Sequence, residues 1–186
     1  MQERIRILGI AGSLRKGSLN RMLLNASREF LPDGVELEVF DLAGIPLYNQ
    51  DDEDPLPERV AQFKERIKDA DAVLIASPEY NHSMTPVIKN ALDWATRPPG
   101  SHTWYGKPVA LMSASDGYLG GIRSQDQLRH VFVDLNMVPI NKPEVYVPFA
   151  QDKMDVNGKL TDEKVRDRMG KLLSALVDMA RKLKKH

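Results

Sequence analysis

A doubly wound α/β sandwich, with a five-stranded parallel sheet in the order 2-1-3-4-5 between two layers of helices, is predicted by three features of this 186-residue chain. Short apolar runs alternate with longer stretches of helical periodicity, the pattern of repeated strand–helix–strand units. The second of these runs alternates polar and apolar residues, as a half-exposed strand at a sheet edge does. Three loops rich in Gly, Ser, Asn and Pro, at 12–20, 77–83 and 115–121, each directly follow an apolar run. In that strand order the winding reverses between the first and third strands, and loops leaving the carboxyl ends of strands there meet in a ligand crevice.

Ile5–Ala11 is short, apolar and ended by Gly12, which makes it the first strand. Leu19, Met22, Leu23, Ala26 and Phe30 then recur at helical spacing until Pro32-Asp33-Gly34 stops them. Val35–Phe40 is the alternating second strand, and an acidic, Pro-rich segment occupies residues 41–57. Val60, Phe63, Ile67 and Ala70 mark the second helix, and Ala72–Ala76 the buried third strand. Thr85-Pro86 pairs a hydroxyl cap with a proline at the first helical position, and the stripe Val87/Ile88, Ala91/Leu92, Ala95 runs on to Pro98-Pro99-Gly100. Residues 109–112 form the fourth strand, Leu128, Val131, Phe132 and Leu135 the next helix, and Val145–Val147 all or part of the fifth strand.

The last helix carries Val165, Met169, Leu172, Leu173, Leu176, Ala180 and Leu183 on one face. Asp162-Glu163 complements its positive end and lysines its negative end. The terminal run 181–186 reads as a solvated helix end. With no repeat and no dividing linker, residues 1–186 are expected to be one domain.

Composition narrows the function. Lys and Arg (26) balance Asp and Glu (26), so no long-range field draws in nucleic acid or an anionic membrane. The absence of Cys excludes disulfides, thiolate catalysis and Cys-ligated metal centres. His82, His102, His130 and His186 are scattered without metal-ligand spacing, so no metal is expected. No apolar run is long enough to span a bilayer, and residues 1–4 lead into a strand without the layout of a signal peptide. The expectation is a cytoplasmic protein.

The first loop, Gly12-Ser13-Leu14-Arg15-Lys16-Gly17-Ser18-Leu19-Asn20, matches neither G-x-x-x-x-G-K-[ST] nor G-x-G-x-x-G. Its small residues let backbone N–H groups face an anion; the Ser13 and Ser18 hydroxyls and the Asn20 amide add neutral donors, and the helix end adds its dipole. Such donors suit a permanently held phosphate monoester. The alternative is an ordinary turn capped by Ser18, with Arg15 and Lys16 in solvent.

In the second loop, Ser77-Pro78-Glu79-Tyr80-Asn81-His82, Pro78 favours an extended backbone against something flat, with Tyr80 and the Asn81 amide beside it. Glu79 lacks a partner for acid–base work within the motif, and a salt bridge or helix contact is its simpler role. His82 reads as a crevice wall or an interface residue. The third loop, with Ser115, Gly117, Gly120 and Gly121, permits close backbone approach, or is a plain connector. Trp94, Trp104 and Tyr105 bracket the Pro98-Pro99-Gly100 break, as a subunit surface or as packing over a helix end.

The first two loops, in their runs 12–20 and 77–81, together with Lys89-Asn90-Ala91-Leu92-Asp93-Trp94 and Gly106-Lys107-Pro108-Val109, resemble the NADPH-dependent FMN reductase family, a flavodoxin-like group that includes chromate, quinone and azo-dye reductases. The resemblance runs from about residue 5 to about residue 145. It implies FMN as cofactor and NADPH or NADH as hydride donor. By position, Ser13, Arg15, Ser18, Leu19 and Asn20 would hold the phosphate and ribityl end. Pro78, Glu79, Tyr80 and Asn81 would border the ring, and Ser115 and Gly117 would close the other side. Met84-Thr85-Pro86 departs from the Gly-Gly common near this position, which bears on the range of acceptors.

Hydride chemistry belongs to the cofactor, so no obligatory side-chain acid, base or nucleophile is expected. The acceptor would be a small molecule such as a quinone, azo compound, free flavin or metal oxyanion. The runner-up is a flavodoxin-type electron carrier or flavin-binding protein; carriers are strongly acidic as a class, whereas this chain has no net charge. A homodimer or homotetramer with the flavin near the subunit boundary is expected, with Ile122 and Gln125 on an incompletely covered surface.

Overall fold

The computed structural model describes residues 4–184; residues 1–3, and Lys185 and His186 of the terminal run, lie outside the described residues. Strands β1 (Ile5–Ala11), β2 (Val35–Phe40), β3 (Ala72–Ala76) and β4 (Pro108–Ala114) are parallel in the order β2-β1-β3-β4. The fifth position is shared by β5 (Val138–Pro139) beside the start of β4 and β6 (Val145–Val147) beside its end, both parallel to it. Ile140 N still donates to Val109 O (2.8 Å), and residues 141–144 leave the ladder before β6, where Pro143 has no N–H to donate and Lys142 pairs with Glu144 at the surface. The expected order 2-1-3-4-5 therefore holds, with the single fifth strand replaced by two segments.

Side chains alternate cleanly along the central strands. Ile5, Ile7, Leu74, Ala76, Ala110 and Met112 face helices α1 (Leu19–Ala26) and α5 (Glu163–Lys184). Leu8, Ile10, Val73, Ile75, Val109 and Leu111 face α2 (Glu58–Asp69), α3 (Pro86–Ala95) and α4 (Ile122–Asp134). On α5 the buried stripe Met169, Leu172, Leu173 and Leu176 contributes roughly 1.5–3 kcal/mol per side chain.

Helix starts follow the capping chemistry of the sequence. Ser18 Oγ accepts from Arg21 N (3.2 Å), Thr85 Oγ1 from Ile88 N (3.3 Å), and Asp162 Oδ1 from Val165 N (3.0 Å). The first helix tightens into a 3₁₀ turn over Ser27–Phe30 instead of continuing as α, with Ser27 Oγ donating back to Leu24 O at 2.6 Å.

The acidic segment is stapled to α3. Asn90 receives Tyr48 N (2.8 Å) and donates to Pro46 O (2.8 Å), and the Trp94 indole donates to the same carbonyl (2.8 Å). Trp94 and Trp104 are buried, and Trp104 stands edge-on to Phe63. Packing thus accounts for both tryptophans, and only Tyr105 of the suggested subunit surface is exposed. A bulky ring at the end of a helix gains more by filling the core than by facing solvent.

Candidate functional site

The carboxyl ends of β1, β3 and β4 lie side by side, and backbone bonds tie the loops that leave them. Gly12 N donates to Ala76 O (2.8 Å), Ser77 N to Met112 O (3.1 Å) and Ser115 N to Val147 O (3.1 Å). Behind these ties sits a layer of buried polar side chains: Ser13, Ser18, Asn20, Ser77, Thr85, Ser113, Ser124 and Gln125. Among the described residues the other buried polar or charged side chains are only Ser27, Lys64 and Thr103. Polar groups withdrawn from water must be hydrogen-bonded, so such a layer orders the loops it touches.

Loop 12–20 is shaped around its own hydroxyls. Ser13 Oγ accepts from Arg15 N (3.3 Å), and Ser18 N donates to Arg15 O (3.1 Å). Residues 14–17 are exposed, and among the described residues neither Arg15 nor Lys16 has an ion-pair partner. Leu19 and Asn20 open α1, so their N–H groups have no acceptor within the helix. Free helix-end donors beside two unpaired cations form a donor set that fits a phosphate monoester. Gly12 makes the fold-back possible: a Cβ there would stand 2.7 Å from Ile88 Cγ1 and 3.0 Å from Ser77 Oγ.

Asn20 does something the sequence did not suggest. Its amide brackets the end of β4, with Nδ2 donating to Ala114 O (2.8 Å) and Oδ1 accepting from Ala114 N (3.0 Å). The side chain fixes α1 against β4.

Loop 77–83 departs from the expected extended run after Tyr80. Tyr80 and Ser83 exchange both backbone bonds at 3.0 Å, and between them Asn81 (φ 50°) and His82 (φ 65°) make a two-residue reversal. Positive φ at both central residues is what a type I′ hairpin turn requires, and Asn tolerates it better than most side chains. Glu79 Oε2 accepts from Arg123 N (3.0 Å) and Oε1 from Arg123 Nη1 (3.2 Å), so its carboxylate caps α4, which starts at a glycine without a side-chain cap. The salt-bridge and helix-contact role is the one realised.

Loop 115–121 begins directly after β4, which runs on past the expected 109–112 to take in Ser113 and Ala114. Its far end is two glycines at φ +63° and +87°. A Cβ on Gly120 would stand 2.9 Å from Pro148 N, and one on Gly121 2.7 Å from Ser113 Cβ. Ser115 Oγ and Phe149 N both donate to Gly117 O, at 3.1 and 3.2 Å.

Arg123, Phe149 and Gln125 join the site from outside the three motifs. Gln125 is fully buried, not on the surface as expected. Its spacing from Leu128 and Phe132 is the sequence signal that marks it as inward-facing.

Around the loops runs a rim of apolar side chains. Leu14, Tyr80, Tyr118, Ile122 and Phe149 are between 40% and 72% exposed, and each follows the carboxyl end of a strand. A rim of this kind around a polar floor marks a ligand or interaction surface.

Comparison with known proteins gives a consistent result. The family model described as NADPH-dependent FMN reductase matches residues 5–152. An NAD(P)H-dependent FMN reductase of Pseudomonas aeruginosa is 45% identical over 185 residues, covering 99% of this chain and 100% of its own. An NAD(P)H:quinone oxidoreductase of Solanum tuberosum is 46% identical over 187 residues, covering 97% of this chain and 95% of its own. Among solved structures, FerB, a flavoenzyme NAD(P)H:(acceptor) oxidoreductase from Paracoccus denitrificans, superposes with a TM-score of 0.89 at 35% identity, covering 96% of this chain and 98% of its own.

Proposed function

Because the chain belongs to the NADPH-dependent FMN reductase family, we propose that its three loops hold FMN and that it oxidises NAD(P)H to reduce a small acceptor, quinones foremost. The observation that carries this is the meeting, at one end of the sheet, of a phosphate-type donor set with a rim of exposed apolar side chains. Ser13, Arg15, Ser18, Leu19 and Asn20 surround the phosphate and ribityl end: Ser13 and Ser18 shape the loop, Leu19 and Asn20 present N–H groups, and Arg15 adds charge. Pro78, Glu79, Tyr80 and Asn81 border the ring, with Glu79 acting through Arg123 to hold its loop on α4. Ser115 and Gly117 close the opposite side.

When bound, FMN supplies acceptance of hydride from the nicotinamide and its delivery to the second substrate. The protein contributes orientation, a rim that keeps water from the reacting faces, and fixed donors for the anionic tail. No side chain is assigned as acid or base; Glu79 is engaged on both oxygens by Arg123. The donor set of loop 12–20 suits a terminal phosphate monoester, so FMN should bind more tightly than FAD.

Support for quinones comes from relatives named quinone reductases at 39–46% identity. The chain acts as one domain and as a dimer or tetramer, the apolar rim of each copy being covered in part by the next. The test is steady-state and anaerobic. NADPH or NADH should bleach the flavin band and a quinone should restore it. A flavin reduced by neither nucleotide, but only by a protein electron donor, would instead identify an electron carrier.

A further inference from the structure

We infer that Gln125, outside all three loops, is a positioning residue that sets the third loop for flavin binding; this rests on the FMN reading of the site. One carboxamide fixes both ends of that loop. Gln125 Nε2 donates to Ser113 Oγ (2.8 Å) and to Val145 O (2.9 Å). With its lone pair engaged from α4, the Ser113 hydroxyl turns its own hydrogen to Gly120 O at 2.6 Å, at the far end of the loop. At the near end, the bond to Val145 holds β6 in register, and two residues on, Val147 O receives Ser115 N (3.1 Å). Ser115 and Gly120, the two ends of the loop, are thus referred to a single side chain that is 0% exposed.

The remaining atom of that side chain separates this role from simple packing. Gln125 Oε1 is buried and has no hydrogen-bond partner, an unfavourable arrangement in the interior. A leucine would fill the same position in line with Leu128 and Phe132 without that oxygen, but it would release Val145 O and Ser113 Oγ. Glutamine thus carries the cost of one unpartnered oxygen for the two directed donors that register the loop.

The experiment compares FMN binding and melting for the wild type, Gln125→Leu, Ser113→Ala and the double variant, each prepared as apoprotein and titrated with FMN. Wild-type binding establishes the site itself. Gln125→Leu, whose added apolar packing offsets part of the two bonds lost, should stay folded with a modestly lowered melting temperature, yet bind FMN about tenfold more weakly because the loop is no longer held ready. Its bound flavin should show an altered visible circular dichroism spectrum. Ser113→Ala should behave alike, and the double variant should lose no more than the larger single effect, because both act through one chain of bonds. Unchanged FMN affinity and spectrum in Gln125→Leu would overturn the inference, as would additive losses in the double variant. If Gln125→Leu does not fold, Ser113→Ala alone decides: unchanged affinity there overturns the proposal equally.

Discussion

At the amino ends of its strands the sheet is closed by charged groups on backbone. Lys107 Nζ donates to Lys68 O (3.1 Å) and to Ala70 O, Asp71 receives Arg6 N (2.8 Å), and Lys184 pairs with Asp71 at 3.0 Å. At the carboxyl ends the corresponding layer is neutral, built from serines, threonine, asparagine and glutamine that bond one another and the loops above them. The first arrangement satisfies the strand ends within the protein itself. The second leaves N–H groups and an apolar rim facing outward, at a cost in positive-φ residues and in one unpartnered amide oxygen. The same parallel sheet thus carries one end finished for stability and one prepared for a ligand.

The largest expected effect lies in the neutral layer. Asn20→Ala removes both bonds to Ala114 and leaves a buried N–H and C=O unpaired, so chemical denaturation should show a loss of about 2–4 kcal/mol. A loss below about 0.5 kcal/mol would mean that this bracket is not structural. Ser18→Ala should weaken FMN roughly ten- to hundredfold if its hydroxyl reaches the phosphate, with about 1 kcal/mol of stability lost with the cap. Riboflavin, without the phosphate, should bind the variant and the wild type alike.

At the opposite end the consequences should be confined to folding. Lys107→Met should cost about 1 kcal/mol through two uncapped carbonyls and leave FMN affinity unchanged. Burial holds the Lys107 ammonium below its ordinary value of 10.5. Between that lowered value and 10.5 the unfolded chain binds more protons, so wild-type stability gains with rising pH. The gap between wild type and variant should therefore widen as pH rises through this window. A gap that narrows would contradict the burial. The smallest effect is expected from Glu79→Gln, which keeps an acceptor for Arg123 N: turnover should stay within about tenfold, and a fall beyond about a hundredfold would instead make Glu79 an acid or base.

Much of this was legible in the residues. Apolar runs and caps placed β1 to β4 and the starts of α1 and α3, because alternation and hydroxyl caps are local signals. The fifth strand position was only half visible, since Val138–Pro139 is too short for a pattern and pairs through its register with Pro108 and Val109. The loops of the site were visible for their small residues. Their supports were not: Gln125 and Asn20 are polar side chains whose partners lie 20 and 94 residues away, and no local pattern encodes such pairs. The reversal at Asn81 and His82 was missed because neither is a glycine.

In the proposed function the carboxyl end of this sheet, not the charged end, receives FMN. Amide hydrogen exchange of the apoprotein with and without FMN tests it most directly. Protection should appear in residues 12–20, 77–83 and 115–121, with riboflavin reproducing it in the second and third segments but not in the first. Protection instead at the opposite end, around residues 68–71 and 104–108, or none in the three loops under saturating FMN, would contradict the assignment.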